Sequence, residues 1–471
     1  MTARIGLVFL LTVAPAAAQT AGGPPRRDVS RVYAEICAAC HGARLEGGKA
    51  QSLLDDVWVS GGTDADLQRT IADGRLEAGM PAFRSLLTEP EIRAMVYYLR
   101  EARVTLRAAP PPKPSPIDPA VVHTTTAHRV RVELVADGLS TPWGMAFLPD
   151  GRLIVSERNG SLRILEVGKP LAPPLAGTPR PWVMQDGGLM DVALHPRFAE
   201  NGWVYLAYSE PGAPPTSTTK IVRGRIRDGQ WVEQQTIHQA PASHYVSDNT
   251  HFGARFLFDA AGHLFFSLGD RGTMSDAQLL TTPNGKIHRV MDDGTVPADN
   301  PFAGTAGAVG SIWSYGNRNP QGLAWHPVTG ALWSSEHGPR GGDEINVIER
   351  GQNYGWPTVT GGINYDGSPI SSRTDAPGLV SPIVTWTPSV APSGIAFYTG
   401  DRFPRWTNDL FVAQLLGQSL KRLKIDGLAV TEQETVLSGY GRVRHVINGP
   451  DGLLYVALND PGRIVRLVPA D

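Results

Sequence analysis

From Leu148 onward, the chain repeats one pattern of polar and apolar positions. A turn containing Asp, Pro or Gly is followed each time by a short strand of alternating or apolar residues. The six copies are LPDGRLIVSER from Leu148, HPRFAENGWVYLAYS from His195, FDAAGHLFFSLGD from Phe258, HPVTGALWSSEHG from His326, FPRWTNDLFVAQL from Phe403 and GPDGLLYVALND from Gly449. Their spacing of roughly 40–80 residues is typical of four-stranded propeller blades with insertions. The pattern predicts a six-bladed β-propeller rather than a β-sandwich, whose turns recur faster.

The first hundred residues follow a helical period instead. In EPEIRAMVYYLREA the apolar positions repeat on one helical face, at Ile92, Met95, Val96 and Leu99. The proline-rich run RAAPPPKPSPIDP then predicts an extended, semi-rigid linker. We therefore expect a mainly β protein preceded by a small all-α domain. The predicted boundaries are residues 20–105 for the helical domain, 106–120 for the linker and 121–471 for the propeller.

The extreme N terminus, MTARIGLVFLLTVAPAAAQT, carries Arg4, an apolar run and then small residues up to Ala18. This order predicts a secretory signal peptide at residues 1–19. The apolar run of about nine residues is too short to span a bilayer of ~30 Å, so we expect a periplasmic protein with no membrane span. The net charge of −2 argues against nucleic acid as a partner.

The stretch EICAACHG contains the C-x-x-C-H signature of covalent haem attachment at Cys37, Cys40 and His41. A local disulfide or redox pair is the alternative, and the histidine directly after the second cysteine argues against it. Met80, in the loop GRLEAGMPAF, is the predicted second axial ligand, because Met95 belongs to the buried stripe. Residues 28–103 resemble class I cytochromes c, which implies haem c held by these four side chains.

Two clusters of polar residues in the propeller could carry chemistry. His251, in the loop SDNTHFGARFLFD, is a candidate general base, and Asp270 in SLGDRG is a candidate carboxylate to orient its imidazole. Arg318 and Asn319 lie in a turn between strands, and a second pair of arginines is spaced two apart, at Arg442 and Arg444. Arginines that converge on a propeller axis require an anion, which favours a polycarboxylate ligand; solvated surface arginines are the alternative.

A third cluster, SSEHGPRGGDEINVIERGQNYGWP, combines a Gly-Pro turn with Asp343 and Glu344. Backbone carbonyls beside carboxylates form a hard, oxygen-rich environment of the kind that Ca²⁺ prefers. Acidic glycine-rich loops are also common on protein surfaces, so the spacing alone leaves both interpretations open.

Six motifs in order resemble the soluble quinoprotein sugar dehydrogenases, which comprise PQQ-dependent glucose dehydrogenases and aldose sugar dehydrogenases. They are THFGARFLFD, GNRNPQGLAW, SEHGPRGGDEIN, NYGWP, VAPSGIAFY and RVRHVINGPDG, and the likeness runs from about Val130 to Leu467. The family fold is a six-bladed propeller. The resemblance implies that an aldose is oxidised to a lactone with PQQ and Ca²⁺, and that the fused haem accepts the electrons before a downstream cytochrome or oxidase.

The resemblance also implies roles for individual residues. His251 would be the base at the anomeric hydroxyl. Residues implied to contact PQQ are Arg318, Asn319, Tyr365, Arg442 and Arg444, and Arg318 would also act in catalysis by stabilising the charge that develops on the reduced quinone. Residues implied to bind calcium are Gly338 and Pro339, through backbone oxygens, together with Glu344 and Tyr354.

Two positions depart from the family pattern. Asp186, in MQDGGLMDVALHP, stands where the family has Gln, and Gln185 one residue earlier is the predicted substitute. Leu416 stands where the family has a PQQ-binding Lys, with Lys421 five residues further on. These two departures leave an alternative function open, in which the propeller has lost PQQ and serves as a calcium-dependent lactonase or binding module beside an electron-transfer haem.

Overall fold

The computed structural model describes residues 27–55, 57–107 and 113–470. The predicted signal peptide, residues 1–19, and part of the predicted linker lie outside these ranges. A helical region comes first and six β-sheets follow it in the described part of the chain. None of the helices in these ranges is long and apolar enough to cross a membrane.

The N-terminal region consists of short helices and one long one. They are α1 (Val29–Val32), a π-helical turn at Tyr33–Cys37, α2 (Ala38–His41), α3 (Asp64–Asp73), a 3₁₀ turn at Leu76–Ala78 and α4 (Glu89–Arg107). A capping box begins α3, because Thr63 Oγ1 accepts from the Asp66 N–H and the Asp66 carboxylate accepts from the Thr63 N–H. The apolar stripe of α4 is buried, and Met95, at 1% exposure, lies in the core as predicted.

In the rest of the described chain the regular secondary structure is almost entirely strand, joined by turns and loops. Its first strands are β1 (Val122–Thr124), β2 (Arg129–Ala136), β3 (Pro142–Phe147), β4 (Leu153–Glu157), β5 (Leu162–Leu165), β6 (Leu189–Leu194), β7 (Val204–Pro211), β8 (Ser217–Arg227) and β9 (Gln230–Gln239). A one-turn helix, α5 (Phe198–Asn201), precedes β7. The next are β10 (Phe256–Phe258), β11 (Leu264–Leu268), β12 (Lys286–Val290), β13 (Ile312–Tyr315), β14 (Pro320–Trp325), β15 (Leu332–Glu336), β16 (Asp343–Ile348) and β17 (Val384–Trp386). The last are β18 (Pro392–Phe397), β19 (Leu410–Gln414), β20 (Ser419–Asp426), β21 (Ala429–Ser438), β22 (Arg442–Asn448), β23 (Leu454–Asp460) and β24 (Arg463–Pro469).

These strands form the six blades that the repeated pattern predicted. The sheets are β3–β5, β6–β9, β10–β13, β14–β17, β18–β21 and a closing sheet in the order β1-β2-β24-β23-β22. Each copy of the pattern supplies one interior strand of a sheet, namely β4, β7, β11, β15, β19 and β23. The six-bladed propeller is therefore confirmed, with one copy of the pattern in each blade.

The two ends of the propeller meet in its closing sheet. β2 pairs antiparallel with β24, from Val130 opposite Pro469 to Ala136 opposite Ile464. Val130, Val132 and Leu467 are buried in the same apolar cluster. The ring can therefore open only if this sheet comes apart.

The described part of the linker follows the propeller surface. The Ser115 N–H donates to the Gly439 carbonyl at 2.8 Å, and Ile117 packs against the apolar cluster of the last blades. Contacts of this kind restrict where the linker can place the helical domain.

A buried polar network connects four blades near the axis. Arg255, just before β10, donates from Nη1 to Asp191 Oδ1 at 2.9 Å and from Nε to the Gln321 carbonyl at 2.9 Å. The same Nη1 lies 3.1 Å from His445 Nε2. Asp191 is on β6, Gln321 on β14 and His445 on β22, so one paired buried cation fixes the relative positions of these sheets.

Candidate active site

The predicted base and its carboxylate are in direct contact. His251 lies in the loop before β10 and Asp270 follows β11, and the two strands are paired neighbours. His251 Nδ1 is 2.7 Å from Asp270 Oδ1, and Trp356 Nε1 donates to Asp270 Oδ2 at 2.8 Å. With Nδ1 engaged by the carboxylate, Nε2 is the ring nitrogen available to a substrate proton.

The environment of Asp270 favours its ionised form. Burial raises the pKa of this carboxyl, but the hydrogen bond and charge of His251 and the charge of Arg318 outweigh that effect. The net result is a pKa below its ordinary value. Asp270 is therefore an anion that orients the imidazole and stabilises it when it becomes protonated.

The backbone at His251 is held in an uncommon conformation. Its φ is +53°, in the left-handed region that costs a non-glycine residue about 1–3 kcal/mol. Two hydrogen bonds fix the following residues: Asn319 Oδ1 accepts from the Gly253 N–H at 3.1 Å, and Thr219 Oγ1 donates to the Phe252 carbonyl at 2.8 Å. Asn319, predicted to contact PQQ, thus also holds the loop that presents the base.

Arg318 lies beside this pair, since its backbone carbonyl accepts from the Asp270 N–H at 2.7 Å, and it is almost fully buried. Its Nη1 donates to the carbonyls of His337 at 3.1 Å and Gly338 at 2.6 Å. Its guanidinium carbon is 5.4 Å from the Trp356 ring centroid and 5.9 Å from that of Tyr365. Tyr365 is 72% exposed, so the structure brings two predicted PQQ contacts together at the pocket mouth.

Arg444 projects from β22 toward the same axis. Its Nη1 donates to Gln321 Oε1 at 2.9 Å and to Ser393 Oγ at 3.2 Å. Burial and the nearby Arg255 and Arg442 lower the pKa of Arg444, so this cation lies among other cations. Within the described residues, the buried Nε atoms of Arg444 and Arg318 have no hydrogen-bond partner. Uncompensated arginine donors of this kind fit a polycarboxylate ligand.

The two positions that depart from the family pattern, Asp186 and Leu416, have different surroundings in the structure. Asp186 is exposed and lies beside the loop that carries His251, because its Oδ2 accepts from the His251 backbone N–H at 3.4 Å. The neighbouring Gln185 is exposed, and its backbone carbonyl accepts from Arg158 Nη1. Leu416 is exposed, whereas Lys421 is half-buried on β20, the third strand of its blade, and burial lowers its pKa. The structure thus places Asp186, and not Gln185, against His251.

The Gly-Pro turn is fixed by Asp343. The Gly338 N–H donates to Asp343 Oδ1 at 2.7 Å, and the N–H groups of Val390 and Ala391 donate to Oδ2 at 2.6 and 2.7 Å. Because both oxygens accept backbone donors, this carboxylate positions the turn. The carbonyls of Gly338 and Pro339, the predicted cation ligands, already accept hydrogen bonds from Arg318 Nη1 at 2.6 Å and from Ser389 Oγ at 3.2 Å, so a cation here would use the second lone pair of each oxygen.

Glu344 faces a second buried carboxylate, Glu336, directly across β15 and β16. Burial raises the pKa of both side chains, and the charge of Glu336 raises that of Glu344 further. The side-chain oxygens Oδ1 of Asn317 and Asn346 are buried without a partner in the described part of the chain, and the amide nitrogens of these residues bind the two glutamates. This oxygen-rich donor set fits a hard cation such as Ca²⁺.

Tyr354, predicted as a calcium ligand with Glu344, has its hydroxyl engaged elsewhere. The hydroxyl donates to the Val347 carbonyl at 2.7 Å and accepts from the Glu349 N–H at 2.7 Å. Among the described residues, no three His, Cys, Asp or Glu side chains are grouped as metal ligands. A cation at this edge would therefore depend on backbone and amide oxygens beside the glutamates.

The haem signature lies on the first helices of the N-terminal domain. Cys37 and Cys40 lie three residues apart and are not joined by a disulfide. His41 Nδ1 lies 3.3 Å from the Gln51 carbonyl, which leaves Nε2 for iron. Met80 packs against the apolar core of this domain, in a loop whose backbone pairs with Arg75. This donor set fits a covalently attached haem.

Three residues of the pocket were not identified as site residues from the sequence. Trp356, within the quoted NYGWP motif, donates to the Asp270 carboxylate; Glu336 accepts from the Arg318 N–H; and His337 has a buried, unpartnered Nε2 among the described residues. The cluster SSEHGP contains two of them directly beside the predicted Gly-Pro turn. That adjacency is the signal that could have identified them.

Fold and site together define a propeller joined to a small helical domain, and comparison with known families gives the class of protein. The profile described as Glucose / Sorbosone dehydrogenase matches residues 139–466, and the profile of Cytochrome C oxidase, cbb3-type, subunit III matches residues 24–99. The chain belongs to the glucose/sorbosone dehydrogenase family of oxidoreductases, and its N-terminal helices form a cytochrome c-type domain.

Individual relatives agree with this assignment. The aldose sugar dehydrogenase YliI of Escherichia coli is 42% identical over 348 residues, covering 72% of this chain and 93% of the relative. The crystal structure of the soluble aldose sugar dehydrogenase from Escherichia coli in the apo-form has a TM-score of 0.70 at 41% identity and covers 72% of this chain and 99% of that one. The structure of the PQQ-bound form of the aldose sugar dehydrogenase from Streptomyces coelicolor has a TM-score of 0.60 at 28% identity. The match covers 72% of this chain and 98% of that one.

Proposed function

We propose that this protein oxidises aldose sugars to lactones with PQQ and Ca²⁺ and passes the two electrons to its own haem c in two one-electron steps, the haem being reoxidised between them by a downstream acceptor. The observation that carries the proposal is the His251–Asp270 pair, which lies in one pocket with Arg318. A base, a buried anion that orients it and a cation at the same site form an arrangement suited to alcohol oxidation.

The proton chemistry falls to His251. Asp270 remains ionised and holds Nδ1, so Nε2 faces outward as the base for the anomeric hydroxyl of the sugar. The imidazolium that forms is stabilised by the carboxylate 2.7 Å away, while Trp356 prevents the carboxylate from turning. Closely positioned general bases of this kind contribute about 10²–10⁴-fold to rate.

The propeller residues that would hold PQQ are Arg318, Asn319, Tyr365, Arg442 and Arg444. Support comes from the unpartnered guanidinium nitrogens of Arg318 and Arg444 and from the PQQ-bound relative. When bound, PQQ supplies the two-electron acceptor for the hydride at the sugar C1. Ca²⁺ would be held at the Gly338–Pro339 carbonyls and near Glu344, where it would act as a Lewis acid.

The cytochrome domain would carry haem c on Cys37 and Cys40, with iron held by His41 and Met80. A haem tethered beside the sugar site receives electrons at a high effective concentration. A separate cytochrome or oxidase would then take them onward. Because covalent haem attachment and the predicted signal peptide both point outside the cytoplasm, we place the protein in the periplasm.

The test is a reduction assay on the haem-loaded protein with PQQ, Ca²⁺ and a panel of aldoses, in which the visible bands of the haem are followed. We expect at least one aldose to reduce the haem, and His251→Ala to abolish this while dithionite still reduces it. His263→Ala is the matched control, since His263 forms a comparable pair with Asp259 at 2.8 Å in the turn between β10 and β11. Lactone hydrolysis without haem reduction by any aldose would favour the lactonase alternative instead.

A further inference from the structure

The cytochrome domain lies against two turns of the propeller that carry predicted cofactor ligands. We call residues 338–342 and 360–369 the paired turns. Arg93, on α4, is 4% exposed and donates from Nη2 to the Thr360 carbonyl at 2.5 Å and to the Tyr97 hydroxyl at 2.7 Å. The Val29 N–H, at the start of α1, donates to the Gly367 carbonyl at 3.3 Å.

One propeller residue belongs to the core of the cytochrome domain. Ile363 is 2% exposed and lies in the same apolar cluster as Val29, Tyr33 and Met95. Because this apolar side chain is buried in the core of the cytochrome domain, the second turn is anchored by packing as well as by hydrogen bonds.

The first turn is anchored through Arg340. Its Nε forms an ion pair with Glu101 on α4, and both side chains are three-quarters buried. Its guanidinium carbon also lies 5.9 Å from the centroid of the Tyr98 ring. Glu101 and Tyr98 thus place the charge of the propeller arginine on the surface of the cytochrome domain.

The two turns are packed backbone to backbone. Arg340 and Ile363 exchange two backbone hydrogen bonds, each of 3.0 Å. A Cβ at Gly362 would lie 2.3 Å from the Gly341 carbonyl oxygen, and one at Gly342 would lie 2.7 Å from the Gly361 carbonyl carbon. No side chain fits between them, so neither turn can shift without moving the other.

The paired turns end at the active site. Gly338, in the first turn, accepts from Arg318 Nη1 at 2.6 Å, and Tyr365, in the second, lies 5.9 Å from the Arg318 guanidinium carbon. A continuous path of contacts therefore runs from Arg93 and Glu101 on α4 to the residues that would hold PQQ and Ca²⁺.

We propose that the cytochrome domain is a structural part of the cofactor pocket: its docking on Arg340 and Ile363 fixes the paired turns, so that docking and cofactor binding strengthen each other. The inference rests on the proposed function and assigns the domain a second role beside electron acceptance. Reciprocity is required, because a domain that raises cofactor affinity must itself be held more tightly when the cofactor is bound.

The experiment compares hydrogen–deuterium exchange in the full-length, haem-loaded protein and its Glu101→Gln variant. The amides of Arg340 and Ile363 are expected to exchange about tenfold faster in the variant, since the backbone bridge between the turns loses the ion pair that holds Arg340 on the cytochrome domain. Asp73→Asn is the matched control, because it breaks the exposed Arg84–Asp73 pair within the cytochrome domain. Arg93→Lys is the second variant, should Glu101→Gln fail to retain its haem spectrum.

Equilibrium dialysis of PQQ in the presence of Ca²⁺ supplies the second readout. We expect about fivefold weaker PQQ binding in Glu101→Gln than in the wild-type protein and in Asp73→Asn. Exchange or affinity that is unchanged in both interface variants overturns the inference. If the wild-type protein itself binds no PQQ, the proposed function is wrong and the cofactor coupling is overturned with it, while the exchange rates still decide whether the domain supports the turns.

Discussion

Trp356 Nε1 donates a hydrogen bond of 2.8 Å to Oδ2 of Asp270, whose other oxygen is 2.7 Å from Nδ1 of His251. The indole therefore acts on the base through the carboxylate, although it is 105 positions from the histidine in the sequence (356 minus 251). It fixes the plane of the carboxylate and favours its anionic form. Trp356 is a positioning residue in this account.

Trp356→Phe is expected to lower kcat for sugar oxidation about tenfold with a smaller change in KM. Loss of the indole N–H leaves Asp270 Oδ2 without its donor and raises the pKa of that carboxyl, so the acidic limb of the pH–rate profile should move to higher pH. Steady-state kinetics across pH measure both effects. Trp325→Phe is the control, because Trp325 Nε1 donates at the same 2.8 Å to a backbone carbonyl, that of Phe258; an equal loss in both variants would contradict the positioning role.

Asp270→Asn is expected to lower kcat at least about a hundredfold. The amide cannot stabilise the imidazolium, and it can bind the wrong tautomer of His251. The comparison is Asp259→Asn, which alters the similar His263–Asp259 pair outside the pocket and should leave kcat within about twofold of the wild-type value. A rate in Asp270→Asn near that of the wild-type enzyme would show that His251 does not need this carboxylate.

Asp186→Gln should tighten PQQ binding about tenfold. Asp186 places a carboxylate 3.4 Å from the His251 backbone nitrogen, and an anion there opposes the binding of a polyanion. Fluorescence titration with PQQ at fixed Ca²⁺ measures the change. Asp228→Asn, in the hairpin between β8 and β9, removes the same charge outside the pocket; an equal gain there would mean that net charge, and not position, sets the affinity.

Acid stability of the cytochrome domain should depend on Glu91. Its hydrogen bonds to Arg27, together with those from Thr88, outweigh burial and lower its pKa from 4.5 to about 2. The stabilisation is therefore complete above pH 4.5 and is lost as pH falls toward about 2. Glu91→Gln should destabilise the domain by about 1–3 kcal/mol at neutral pH and flatten this acid dependence, as measured by thermal unfolding. An acid unfolding transition in Glu91→Gln that is as steep as that of the wild-type protein would contradict this role of Glu91.

The fold followed from the sequence because each blade carries its own local signal. A turn that contains Asp, Pro or Gly precedes an apolar strand in every blade. These strands are β4, β7, β11, β15, β19 and β23. The pairing of β2 with β24 could not be predicted from local sequence, since Val130 and Pro469 become neighbours only when the ring has formed. The same holds for Arg340 and Glu101, whose ion pair joins positions 239 residues apart.

The site was predicted where a residue type implied its chemistry. His251 and Asp270 are a base and a carboxylate at the ends of neighbouring strands, and the structure brings them into contact. Trp356 carried no such signal, because an indole in a loop rich in Gly and Pro is more often a packing residue than a hydrogen-bond donor to a functional carboxylate. Tyr354 as a calcium ligand stays a prediction, and its hydroxyl is engaged by the backbone of Val347 and Glu349.

The central claim is that electrons from the sugar reach the haem of the same molecule. Stopped-flow mixing of the PQQ- and Ca²⁺-loaded protein with an excess of an aldose substrate, without any added acceptor, measures the rate constant of haem reduction directly. The account predicts a first-order rate constant that is unchanged over a tenfold dilution of the protein and is lost in His251→Ala. A rate constant that falls in proportion to protein concentration, or a haem that stays oxidised, would contradict it.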